Sequence, residues 1–204
     1  MRERTALDVA HLPTTVFGSR APLWWGVVGI MSIEGTMFAI MAACYFYLRG
    51  GAQIWPPPGV LHPGLGITTL NLAILLASAV PMHLVAKAAA RDDLAACRRW
   101  LIVSTVLMVA FLAVRALITS RLTFLWNSHA YGSVVWITGA LHSLHVVTGT
   151  LENLLFITLL IKGPVEDKHM ADLRLNSLYW YFVVASWVFF YVIFFLDPGL
   201  LGRP

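Results

Sequence analysis

Apolar residues gather into five long runs separated by short polar breaks, at about residues 23–48, 66–89, 100–122, 131–162 and 177–196. Each run meets the roughly 20 residues that a helix needs to cross the hydrocarbon core of a bilayer. The breaks carry helix-stopping chemistry. Gly50-Gly51 and Trp55-Pro56-Pro57-Pro58-Gly59 follow the first run, and Asp197-Pro198-Gly199 follows the last. A charged link from Arg91 to Arg99 separates the second and third runs, and Asn127, Ser128 and His129 precede the fourth. A polar loop over residues 162–174 precedes the fifth. Pro81 inside the second run predicts a kink. The pattern predicts an all-α membrane protein of five transmembrane helices. Residues 1–22 form a tail at the membrane surface and residues 23–204 a single five-helix domain, with no repeat and no low-complexity tract.

Composition agrees: 59% of the 204 residues are hydrophobic, 12% are charged and the mean hydropathy is +0.77. Soluble domains carry roughly 25% charged residues. The net charge of +4 does not mark a nucleic-acid binder, because the cations flank the apolar runs, where they set topology. Ten Lys and Arg residues (Arg2, Arg4, Arg20, Lys87, Arg91, Arg98, Arg99, Lys162, Lys168 and Arg174) fall on one side of the five runs. Three (Arg49, Arg121 and Arg203) fall on the other. That bias predicts a cytoplasmic N-terminus and an external C-terminus, and it puts Cys44 and Cys97 on opposite sides, too far apart to bridge. Met41-Ala42-Ala43-Cys44 is a poor lipoprotein box, since the apolar stretch before it is too long and holds Glu34.

Ionisable groups inside lipid-length runs avoid lipid and face protein, water or a partner. Glu34 lies roughly 17 Å into the first run and His142 roughly 16 Å into the fourth from the opposite end, so both reach mid-bilayer. A charged carboxylate there costs about 3 kcal/mol on insertion scales, so Glu34 is expected to be protonated or paired. Helical steps of three and four predict one polar face of His142, His145, Gly149 and Glu152. Glu152 is expected to meet the cations of the last loop or interfacial water, and Arg115 to bend outward to water or the His129 loop. Asn71 is expected to make an interhelical hydrogen bond. The aromatic stretch around Trp180 and Trp187 reads as a packing face, and Trp55 as a boundary anchor. His142 and His145 could share a metal by spacing. A haem needs ligands from two helices, and no second histidine (among His11, His62, His83, His129 and His169) lies at matching depth. A hydrogen-bonded buried pair is the simpler reading. No phosphate loop, catalytic triad or CxxC is present.

These residues resemble a known family. Tyr131-Gly132-Ser133 followed by Gly139-Ala140-Leu141-His142-Ser143-Leu144-His145-Val146-Val147-Thr148-Gly149 is similar to the signature helix of subunit III of haem–copper oxidases. Glu34 matches that family's buried glutamate. Trp55-Pro56-Pro57-Pro58-Gly59 with His62-Pro63 matches its loop, Leu70-Asn71-Leu72 its next helix, and Tyr179-Trp180-Tyr181-Phe182 through Trp187 its last. Tyr181 and Val184 stand where that last helix usually has His and Asp.

The chain is similar to the short five-helix bacterial form. The resemblance implies an accessory subunit of a terminal oxidase in the bacterial inner membrane. Such a subunit has no haem and no copper of its own; those lie in subunit I, on which it packs, with subunit II in the same complex. It holds phospholipid in a cleft and supports proton uptake and the stability of the redox site. No nucleic acid is involved. Subunit-III-like proteins also accompany nitric oxide reductases, which is the alternative partner. A small proton or solute transporter built on Glu34 and Arg115 is a third reading, but five helices without an internal repeat do not suit the usual inverted-repeat design.

Overall fold

The computed structural model describes residues 17–60 and 64–196. Most of the tail, His11, His62-Pro63 and the stop at Asp197-Pro198-Gly199 lie outside the described residues. Five helices follow in order: α1 Pro22–Gly50, α2 Leu65–Ala89, α3 Leu94–Ser120, α4 Ala130–Lys162 and α5 Asp167–Tyr191. A π-helical turn, Val192–Leu196, extends α5. All five are long and apolar enough to cross a membrane, and among the described residues there is no strand. The chain is a multi-pass helical membrane protein.

Two helices begin earlier than their apolar runs. Helix α3 starts at Leu94 rather than Trp100, because the Asp93 carboxylate accepts the Ala96 N–H at 2.9 Å and caps it. Helix α5 starts at Asp167, ten positions before Ser177. There Glu166 and His169 form a reciprocal capping box, with the Glu166 N–H donating to His169 Nδ1 at 3.0 Å. Lys168 and Arg174, assigned to a loop by hydropathy, therefore ride on α5. Polar residues with adequate helix propensity continue a helix past its lipid-facing length, and hydropathy does not register them. Pro81 lies inside α2, which is assigned as one uninterrupted helix.

Helices α2, α3 and α5 form the densest part of the bundle, with α4 closing it. Leu75, Met82, Leu101, Met108, Phe111, Leu173, Trp180 and Phe190 are almost wholly buried there. Buried polar side chains tie the helices together. Asn71 Nδ2 donates to the Phe111 carbonyl at 2.9 Å. Asn176 Nδ2 donates to Asn153 Oδ1 at 2.8 Å, and the Trp180 indole N–H donates to Ser78 Oγ at 3.0 Å. With no water in the hydrocarbon, such groups find partners inside the bundle. Helix α1 is peripheral. It packs on α4 and α5 and turns Ile33, Ile40 and Tyr47 outward.

Candidate functional site

Glu34 sits on the inner side of α1, twelve residues from Pro22, or roughly 18 Å along the axis. Two neighbouring helices meet its carboxyl. From α5, the Tyr179 hydroxyl donates to Oε2 at 2.8 Å. From α4, His145 Nε2 stands 3.5 Å from Oε1. The other ring nitrogen of His145, Nδ1, lies 2.6 Å from the Leu141 carbonyl. A carbonyl only accepts, so Nδ1 carries a hydrogen and Nε2 is the ring nitrogen that faces the carboxyl. The carboxyl is thus flanked on one oxygen by the His145 imidazole, while Tyr179 holds the other oxygen in place.

Two of this trio, Glu34 and Tyr179, line the inner end of a cavity of about 720 Å³ between α1, α4 and α5. Its walls run from Leu23 and Val27 on α1 to Leu159 on α4 and Leu175 on α5. Glu152, Asp172 and Asn176 also line it. Glu152 lies ten residues from Lys162, roughly 15 Å along α4, and so stands near the level of Glu34. No ion pair of Glu152 with Lys162, Lys168 or Arg174 forms. Lys168 pairs with Glu166 at 2.8 Å, and Arg174 lies over the Phe17 ring at 3.6 Å. The expected meeting of Glu152 with the last-loop cations gives way to a place in the same cavity as Glu34.

The expected polar face of α4 divides. A step of three residues leaves two side chains about 60° apart around a helix, and the two histidines turn to different neighbours. His145 faces α1, with its ring 5.2 Å from Phe38. His142 is fully buried against α5 and α3. Its Nε2–H donates to the Val183 carbonyl at 3.0 Å, and its ring lies 4.7 Å from Trp187. Glu34 therefore reaches His145 and not His142. Gly149 leaves room for the Trp180 indole: a Cβ there would lie 3.2 Å from the ring. Trp55 packs edge-on to Tyr45 and Tyr131.

The two rings turn to different neighbours, His142 to Val183 and Trp187 and His145 to Glu34 and Phe38, so they do not converge as a ligand pair. Among the described residues no three His, Cys, Asp or Glu side chains group as a metal site. Arg115 departs from its expected outward course. It is 9% exposed, and its guanidinium lies 3.5 Å over the Trp187 ring and 5.1 Å from Phe111. Aromatic faces, through cation–π attraction, stand where water was expected around the guanidinium. Tyr179 was not recognisable as the Glu34 partner from sequence. The available signal was that a tyrosine hydroxyl at mid-helix needs an acceptor.

The sequence pattern of the family described as Cytochrome c oxidase subunit III matches residues 19–197. The chain is 24% identical over 172 residues to "Cytochrome c oxidase subunit 3" of Thermostichus vulcanus, covering 84% of this chain and 85% of that protein. It is 32% identical over 180 residues to "Probable cytochrome c oxidase subunit 3" of Nocardia farcinica, covering 84% and 86%. It is 28% identical over 190 residues to the subunit 3 of Struthio camelus, covering 89% and 70%.

Proposed function

Because the chain belongs to the cytochrome c oxidase subunit III family, we propose that it serves as the accessory subunit of a haem–copper terminal oxidase in a bacterial inner membrane. In this reading it binds no haem or copper. It packs on subunit I, beside subunit II, with its N-terminus in the cytoplasm. The α1–α4–α5 cavity opens toward that side and takes phospholipid chains along its apolar walls.

The observation that carries the reading is the Glu34 carboxyl held between Tyr179 and His145 at the inner end of that cavity. A carboxyl–imidazole pair that shares one proton can accept a proton from the cavity and release it without a large movement of either side chain. Its role is to supply protons to the neighbouring catalytic subunit and so keep the redox site intact through repeated turnover. Glu34 is the proton-related group. His145 and Glu152 belong to its surroundings. His142, Trp55, Asn71, Trp180 and Trp187 hold the bundle together.

The test is Glu34→Gln in the assembled enzyme. Glutamine keeps the Tyr179 hydrogen bond and can face His145 with its amide, but carries no acid proton. Subunit composition should stay unchanged, while proton uptake slows or activity decays over fewer turnovers. Unaltered rate and unaltered lifetime would remove the proton role.

A further inference from the structure

A second cavity, of about 550 Å³, lies toward the other end of the bundle, between α3, α4 and the end of α5. Leu112 and Ala116 on α3, Val135 and Gly139 on α4, and Phe194 and Phe195 near the end of α5 give it apolar walls. Arg115 lines it, five residues from the α3 terminus at Ser120, or roughly 8 Å along the axis. The guanidinium is permanently charged and presents five N–H donors. Its Nε and Nη2 are buried and have no hydrogen-bond partner. Among the described residues no carboxylate pairs with it. Glu34 is engaged by Tyr179 and His145, and Asp93 caps α3 at its opposite end. The adjacent His142 ring donates to Val183 and offers no negative charge.

A buried cation without a counter-anion is strongly unfavourable, and the Trp187 ring offsets only part of that. We propose that this groove is a binding site for an anionic amphiphile, with its oxyanion on Arg115 and its alkyl chain along the apolar walls. The donor set suits an oxyanion, since phosphate and carboxylate both take bidentate N–H pairs from arginine. The apolar remainder suits a hydrocarbon chain. The site is separate from the Glu34 cavity and does not depend on which oxidase the chain serves.

The test is native mass spectrometry of the full-length chain purified with its associated subunits, delipidated, and supplied with phosphatidylglycerol, oleate or phosphatidylcholine. One phosphatidylglycerol or one oleate beyond any lipid held in the α1–α4–α5 cavity should remain bound, and phosphatidylcholine should be stripped from this second site. Retention of only the first identifies a phospholipid, and retention of both identifies any oxyanion with a tail. Arg115→Gln should lower retention at least tenfold. Gly139→Leu should do the same without touching Arg115, because nothing lies within 4 Å of a Cβ built at Gly139 and the added side chain fills the groove. Equal retention of phosphatidylcholine, retention unchanged in both variants, or no lipid retained by the wild type would overturn the site. So would an anionic lipid retained by the Asp197→Asn variant and not by the wild type, which would make Asp197 the natural counter-anion.

Discussion

Removing the Tyr179 hydroxyl should loosen α1 by an amount that depends on Glu34. Helix α1 is held by α4 and α5 and is otherwise largely exposed. The Tyr179–Glu34 bond at 2.8 Å is therefore a substantial part of its polar attachment. Interhelical hydrogen bonds in membranes average about 0.6 kcal/mol and reach about 1.7, so Tyr179→Phe should cost about 1 kcal/mol. Glu34→Leu should cost more, about 2 kcal/mol, because it leaves both the Tyr179 hydroxyl and His145 Nε2 without a partner. Glu34→Gln should stay within about 0.5 kcal/mol of wild type, since its amide oxygen accepts from Tyr179 and its NH2 group donates to His145. In the Glu34→Leu background, Tyr179→Phe should be neutral or stabilising, because it then removes an orphaned hydroxyl. The assay is reversible unfolding in mixed micelles, followed by far-ultraviolet circular dichroism, with all four members of the cycle. If Tyr179→Phe costs the same with and without Glu34, the two groups are not coupled and the site as described is wrong.

Three further outcomes follow from the same geometry. Gly132→Ala should destabilise the α3–α4 corner by about 1–3 kcal/mol, because a Cβ would lie 2.7 Å from the Leu125 carbonyl oxygen. A lowered thermal midpoint of the purified complex would show it, and an unchanged midpoint would mean that the corner can yield. At the start of α5, the hydrogen bond and charge of Lys168 hold the Glu166 carboxyl below its usual range. A lowered carboxyl contributes stability that is complete above the ordinary carboxylate range and is lost as pH falls through the lowered value. Amide hydrogen exchange at residues 167–170 should therefore rise on acidification beyond its intrinsic pH dependence, and constant protection factors from neutral pH into that range would contradict this. Single cysteines placed at position 53 and position 92, in a background lacking Cys44 and Cys97, should react with an impermeant maleimide from the outer and inner side respectively. The reverse pattern would invert the proposed orientation.

Much of this arrangement was legible in the chain. Five apolar runs mark five helices because lipid demands both length and apolarity. Glu34 stood out because a lone carboxyl in such a run must find a partner. The starts of α3 and α5 were not legible from hydropathy, since Asp93 and Glu166 cap polar turns that lie outside the apolar span. The split between His142 and His145 depended on where α1, α3 and α5 stand around α4, which periodicity alone does not give. Arg115 was misplaced because its long side chain can reach either water or an aromatic ring. Trp187 and Phe111, distant in sequence, decide for the interior. Tyr179 was hidden among aromatic neighbours whose polar atoms meet other partners, Trp180 with Ser78 and Tyr181 with His83.

The assignment to an oxidase complex rests on physical association. Purification from native membranes through this chain in mild detergent, with mass spectrometry and an optical spectrum of the product, tests that association. The expected product contains subunits I and II and shows the haem absorption and copper content of a terminal oxidase. A colourless chain that emerges alone, or one bound to a haem protein without copper, would contradict it.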